Sequence, residues 1–324
     1  MHSRAHRSIR DRDESGHEMN TLHVGRGTTG GAVTVFPLWG AGTGYGKYTV
    51  AGTGALDVSE LETGAQVNTL MLGNPGDRPV FVPEGTLFEG GWQHRMACHS
   101  VMIGVHQRIP VEVVCVEQGR WAGAAKQHTH GRRATPYVRD ALRRADSVQD
   151  EVWNRVAVHT QDVRVPTPQR RLSHSELAWV RHSAPRGNPT GSLVARLNRA
   201  KDEQRAWSTL RPLSGQTGVL IGIAGQPYCA EVFGSPMRLR VQMQALLEAA
   251  ALDARQAEYV ATPSRRAHRF IGRVEQLELT PAGPAGVGRR WCGSSSYADV
   301  AALQWQDMDV HQRMTNVRHP MLAV

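Results

Sequence analysis

Residues 85–121 read GTLFEGGWQHRMACHSVMIGVHQRIPVEVVCVEQGRW, and their pattern decides what kind of fold the chain builds. Residues 92–103 and 109–116 are rich in β-branched and other apolar side chains, with a glycine-containing break between them, so they predict two strands. Because successive side chains of a strand point to opposite faces, Val111, Val113, Cys115 and Glu117 share one face of the second run. Glu112, Val114 and Val116 occupy the other face. In the first run Gln93, Arg95 and Ala97 share a face. Whether that face meets Cys115 and Glu117 depends on strand register, which the sequence alone leaves open.

Working toward the N-terminus, residues 79–83 predict a strand that pairs as a hairpin with residues 66–72 across the turn cluster Asn74-Pro75-Gly76-Asp77. Residues 56–60 predict a short strand. The glycines between 40 and 54 lack the strand, G-x-G-x-x-G, helix order of a dinucleotide-binding loop and read as a surface loop. Residues 32–38, AVTVFPL, predict a strand broken by Pro37. Residues 1–24 are too polar to bury enough surface to order themselves and predict a disordered arm. The single α+β domain is expected over 25–324.

Toward the C-terminus, Thr135-Pro136 predicts a helix start, the threonine as cap and the proline at the first helical position. Residues 151–158 and 162–165 read as short strands. A loop-rich insertion is expected near 166–191, then a helix over 192–207. Residues 218–224, GVLIGIA, are apolar throughout and predict a buried central strand that hairpins back over 228–233. This hairpin shares its rhythm with the one predicted at 66–83, a weak hint of duplication. Ser235-Pro236 opens the clearest helix, with Leu239, Met243, Leu246, Leu247, Ala250 and Ala254 on its core stripe. Residues 269–279 and those from Trp291 onward read as strands, with His311 in an exposed-looking polar segment. With 33 glycines and 17 prolines in 324 residues, turn-rich β structure outweighs helix. The fold class is therefore α+β, β-dominated, with mixed or antiparallel sheets and a few packed helices.

A formal charge of +9 favours anionic partners. Arginine far outnumbers lysine, however, and the basic residues are scattered without a nucleic-acid-binding signature. A small phosphorylated ligand fits this balance; nucleic acid and membrane are not expected as partners. Cys98, Cys115, Cys229 and Cys292 show no C-x-x-C spacing. No apolar run approaches 18 residues and the N-terminus has no signal-peptide core, so a soluble, cytoplasmic protein is expected. The histidines are too dispersed to suggest a metal, and His128-x-His130 reads as a solvated loop. No cofactor is implied.

The motifs resemble those of one family. Pro83-Glu84-Gly85 with Leu87 and Gly90-Gly91-Trp92-Gln93-His94-Arg95 is similar to a family pattern of the form GE-x-L-x-GG-x-QNR. Ile109-Pro110-Val111 and Cys115-Val116-Glu117-Gln118-Gly119-Arg120-Trp121 resemble its IPV-x-CVE-x-GRW block. Val152-Trp153, residues 218–225 and Phe233-Gly234-Ser235-Pro236 follow in the same order. The family is named for its gene association with ADP-ribosylglycohydrolases, rhodaneses and phosphatase-superfamily proteins, and the resemblance spans roughly residues 30–315. It implies a context of NAD-derived or ADP-ribosylated metabolites and no particular activity. His94 stands where the pattern has Asn.

The candidate site follows from these residues. Arg95 and Arg120 offer planar guanidinium forks suited to phosphate; equally, each could pair internally with Glu117 or Glu84. Glu117 is the candidate general base, with a structural ion pair to Arg120 or Arg95 as the other reading. Gln93 and His94 are candidate ligand contacts, and Trp121 a stacking surface or a core plug. Cys115 lies in an apolar run, where a thiol is usually inert. Two functions are open: binding or processing an ADP-ribose-type or phosphorylated nucleotide, or a non-enzymatic module whose motif is a buried polar network fixing strand register.

Overall fold

In the computed structural model the described residues are 17–40, 46–143, 148–160, 191–200 and 207–322. They form three sheets and five α-helices, a β-dominated α+β fold. The largest sheet has ten strands. From one edge it runs β1 (His17–Glu18), β16 (Glu278–Ala285), β17 (Gly288–Ser294), β18 (Ala298–Trp305), β19 (Met308–Asn316), β15 (Gln226–Phe233), β14 (Gly218–Ile223), β4 (Val33–Gly40) and β2 (Leu22–Val24). The remaining strand, β3 (Thr28–Gly30), also pairs with β4. Residues 17–24, assigned from composition to a disordered arm, thus supply both edge strands. Residues 1–16 lie outside the described residues, as does the expected insertion at 166–191 apart from Gly191.

Alternation explains how this sheet is covered. Val219, Ile221 and Ile223 of β14 face one core, while Leu220 faces the other. Both faces of β14 are therefore buried, which is why its sequence is apolar without alternation. On one face α5 (Ser264–Val274) packs with Ala267, Phe270, Ile271 and Val274, an i, i+3, i+4, i+7 stripe. On the other lies α4 (Pro236–Asp253), contributing Leu239, Met243, Leu246 and Leu247. Truncating Leu246 to alanine there would cost about 2–5 kcal/mol. Pro236 holds the first helical turn of α4, but Ser235 makes no side-chain capping bond.

The second sheet is a closed six-stranded barrel in the order β10 (Arg95–Ala97), β12 (Arg108–Cys115), β7 (Thr69–Gly73), β6 (Asp57–Ser59), β13 (Lys126–His128) and β9 (Leu87–Gly90). The third is small: β11 (Val101–Ile103), β8 (Val80–Val82) and β5 (Thr49–Val50), in which β5 and β8 run parallel. It joins the large sheet where Val287 N–H donates to the Met102 carbonyl. Helices α1 (Pro136–Arg139), α2 (Val148–Thr160) and α3 (Leu193–Arg199) pack against the barrel's outer surface around Leu87, Met96, Val114 and Val116. Thr135 caps α1 as expected, its hydroxyl accepting from Val138 N–H at 3.2 Å.

Several expectations are corrected. The strands predicted to make a hairpin over 66–83 do not pair with each other: β7 pairs with β12 and β6, and β8 with β11 and β5. The suggested duplication falls with it, although the hairpin β14–β15 is present. The run 92–103 is divided between β10 and β11. Residues 151–158 are helical, because Val152 and Val156 lie one turn apart on the buried face of α2. Residues 269–274 belong to α5 rather than a strand. His311 is buried, not exposed.

Candidate functional site

The register of β10 against β12 sets Arg95 opposite Cys115 and Ala97 opposite Val113, so the two faces left open by the sequence coincide. Beyond the strand ends Val116 N–H donates to the His94 carbonyl at 2.9 Å, carrying Gln93 and Glu117 toward the same end of the barrel. Arg95 is fully buried. Its Nη1 donates to Oε1 of Glu60 at 2.8 Å. Glu60 directly follows β6, on the far side of the barrel from β10, so this ion pair spans the interior. Gln127 of β13 donates to the same oxygen at 3.1 Å. Arg95 therefore pairs with neither Glu117 nor Glu84.

This interior is polar and incompletely satisfied. Nε and Nη2 of Arg95, Oε2 of Glu60, Oε1 of Gln93 and Oε1 of Gln127 are buried without a hydrogen-bond partner. Nε and Nη2 form one side of the guanidinium fork, the side that takes a carboxylate or phosphate bidentately. Each unpartnered buried group costs about 1–3 kcal/mol, so the four atoms held together by the Arg95–Glu60–Gln127 contacts mark either a ligand subsite or ordered water.

At the rim, Glu117 and Arg120 pair with each other. Oε2 of Glu117 accepts from Arg120 Nε at 3.0 Å, Arg120 Nη2 at 2.7 Å and the His94 backbone N–H at 3.0 Å. Arg120 Nη1 donates to the carbonyls of Gly91 at 2.6 Å and Ala122 at 2.9 Å. The pair staples the turn 90–94 to the loop 117–123. Burial alone would raise the Glu117 carboxyl, but the Arg120 hydrogen bond and the His94 N–H outweigh it and hold it below its ordinary range. Oε1 takes no hydrogen bond among the described residues.

His94 accepts from the Gly90 N–H through Nδ1 at 3.0 Å, an acceptor role that an asparagine carbonyl oxygen would also serve. Burial lowers its pKa despite the nearby Glu117 carboxylate, so it is neutral. Trp121 is 43% exposed. It meets Trp92 edge-on at 5.3 Å, and the Arg95 Cζ lies 5.7 Å from its ring centroid. The loop carrying Trp121 closes on the 90–94 turn so tightly that a Cβ on Gly123 would lie 2.1 Å from the Gly91 carbonyl oxygen. Gln93, His94, Arg95, Glu117, Arg120 and Trp121 are thus gathered at one end of the barrel. Cys115 is buried, and burial raises its thiol pKa.

A second polar cluster escaped the sequence reading. On β15 and β19, Phe233 lies opposite His311 and Glu231 opposite Arg313, so all four share a face of the large sheet. Glu231 accepts from Arg133 at 3.0 Å, Arg139 at 2.7 Å and His311 Nε2 at 2.9 Å. Glu84 of the Pro83-Glu84-Gly85 motif pairs with Arg313 at 3.1 Å. Burial would raise the Glu231 carboxyl, but Arg133 and Arg139 hold it well below its usual range. The available signal was Glu231 itself: a carboxylate inside the apolar run Tyr228–Phe233 requires buried cations around it.

One further group forms between β9 and β13. Ligand atoms of Glu89, His128 and His130 lie within 4.8 Å of one another, so the two histidines are closer to a carboxylate than a solvated loop suggests. Both Glu89 oxygens are occupied by Arg132, at 2.9 and 2.6 Å. Among the described residues no helix is long and apolar enough to cross a membrane.

No curated protein and no solved structure matches the chain. A family model does, over residues 21–315, a span that holds the barrel-end residues and both strands of the second cluster. The chain belongs to the ARPP-1 family, the ARG and Rhodanese-Phosphatase-superfamily-associated Protein domain.

Proposed function

We propose that the end of the small barrel binds an ADP-ribose-type or phosphorylated nucleotide ligand and serves NAD or ADP-ribose metabolism, in keeping with the ADP-ribosylglycohydrolase association in the family's name. The observation that carries the reading is the buried, unpartnered Nε/Nη2 side of Arg95, with Gln93, two residues before it in the chain, also holding a buried, unpartnered amide oxygen. That edge has the geometry for two phosphate oxygens, and Gln93 for a hydroxyl or amide donor. Trp121, exposed and next to Arg95, provides the surface on which a base stacks. Glu117, ionised at neutral pH and with Oε1 open, is the carboxylate placed to accept a proton if the ligand is processed.

Titration calorimetry of the full chain with ADP-ribose, NAD and AMP tests this. Binding is expected, weakened about 5- to 150-fold by Trp121→Ala, since base–aromatic stacking contributes about 1–3 kcal/mol. Arg95→Ala should weaken it further. Absence of binding by the wild-type chain, or equal binding by Glu117→Gln and Arg95→Ala, refutes the proposal.

A second reading is favoured by the buried pair Arg95–Glu60 and the rim pair Glu117–Arg120: a non-enzymatic interaction module in which the motif fixes the barrel's register and the 117–123 loop. It predicts that Arg95 and Glu117 variants lose stability while no nucleotide binds at any concentration reached.

A further inference from the structure

We infer that Ser100, His311 and Glu231 form a nucleophile, base and carboxylate relay that hydrolyses small acyl esters in a cavity of about 250 Å3, a second site apart from the barrel end. The cavity lies where the segment 98–100 meets the large sheet, and Ser100 and His311 both line it.

The hydrogen bonds fix the direction of the relay. Glu231, held as a carboxylate by Arg133 and Arg139, can only accept, so the neutral His311 carries its proton on Nε2 and donates to it at 2.9 Å. This leaves Nδ1 bare and 2.9 Å from Ser100 Oγ. The Glu84 backbone N–H donates to the same Oγ at 3.0 Å, so the serine's own proton is the one directed at Nδ1. Burial keeps His311 neutral against the pull of Glu231, the form a general base requires. Phe81 and Phe233 pack against its ring, with centroids 5.5 and 5.0 Å away, and fix its plane. The same three roles, met in any chain order, define acyl-transfer triads.

The cavity supplies the rest. Arg290 lines it with a buried Nε that has no hydrogen-bond partner, a donor for the oxyanion that develops on an attacked carbonyl. Cys98 also lines it, but burial pushes its thiol pKa up strongly, so the serine is the nucleophile. In the reaction Ser100 Oγ bonds to the ester carbonyl carbon as its proton passes to His311 Nδ1. The carbon–alkoxide bond breaks and the leaving alkoxide takes that proton. Water then attacks the acyl-serine with its proton going to His311, and the carboxylic acid leaves as Ser100 recovers its proton. The cavity volume restricts the substrate to a short acyl group.

The test is covalent labelling of the full chain by a fluorophosphonate, with peptide mapping, alongside hydrolysis of p-nitrophenyl acetate. The expected result is one adduct, on Ser100, absent from Ser100→Ala, and an esterase rate that falls about 100-fold or more in that variant. Ser100→Ala removes only a hydroxyl, and circular dichroism of the variant checks that it folds. Wild-type protein that stays unlabelled, or an adduct and esterase rate that persist in Ser100→Ala, overturns the proposal. Glu231 is the positioning residue, and nitrogen-15 shifts of labelled histidine read its effect: His311 should carry its proton on Nε2, and a proton on Nδ1 instead would equally overturn the relay.

Discussion

Replacing Arg95 by methionine removes a fully buried guanidinium and leaves Glu60, itself 7% exposed, inside the barrel. The carboxylate keeps only the Gln127 amide, 3.1 Å away, in place of the 2.8 Å ion pair. Breaking a buried pair from one side costs about 3–5 kcal/mol, because the remaining charge is neither hydrated nor compensated. Loss of the contact with Trp121 adds about 0.5–1 kcal/mol. Removing both partners, as Arg95→Met with Glu60→Leu, leaves no orphaned charge and fills the interior with apolar volume. The double variant should therefore be more stable than either single one and lie within about 1–2 kcal/mol of wild type, or above it. Urea denaturation of the four proteins, with m-values checked for constancy, gives the cycle. A single-variant cost below about 1 kcal/mol, or additive costs in the double variant, would refute the assignment of Arg95 and Glu60 as a coupled interior pair.

Other expectations follow from the same contacts. Glu117→Gln should cost about 1–2 kcal/mol at pH 7 through weakened bonds to Arg120 and His94. Since the folded carboxyl sits below its ordinary range, that contribution is present above about pH 4.3 and lost as pH falls through the folded pKa; thermal midpoints against pH should show the two proteins converging in acid. Burial lowers His319 from 6.5 to about 4, so its contribution is complete above pH 6.5 and is lost between 6.5 and 4. In that window the wild-type stability slope should exceed that of His319→Gln by about 1.4 kcal/mol per pH unit, and equal slopes would contradict the burial argument. Gly85→Ala places a Cβ 2.2 Å from Arg139 Cδ at a φ of +77°. It should displace Arg139 from Glu231 and cost more than about 2 kcal/mol by calorimetric unfolding.

Local grammar carried much of the fold into view. The apolar run at 218–224, the Pro236 helix start and the Thr135 cap are decided by neighbouring residues, and each stands where the sequence places it. What resisted reading was pairing between distant segments. The turn at Asn74–Asp77 looks like a hairpin, yet the strands flanking it bond to partners that lie elsewhere in the chain. Helix α2 was hidden because valines at 152, 156 and 158 favour strands in isolation, while their one-turn spacing buries two of them against the barrel. The stripe of α5 begins at Ala267, before the segment read as a strand. At the candidate site, alternation gave the correct faces of β10 and β12, but not Glu60, which reaches Arg95 across the barrel from 35 positions away. His311 looked exposed because its neighbours are polar; Gln312 and Arg313 are themselves buried, and Arg313 bonds to Glu84, 229 positions away in sequence.

The proposed function makes the open side of the Arg95 guanidinium a phosphate subsite. A crystal structure of the full chain grown with ADP-ribose tests it most directly. Two phosphate oxygens should lie within about 3.2 Å of Arg95 Nε and Nη2, with the adenine against Trp121. Density for the ligand elsewhere, or an ordered water bridging Arg95, Gln93 and Gln127 with no ligand at the barrel end, would contradict it.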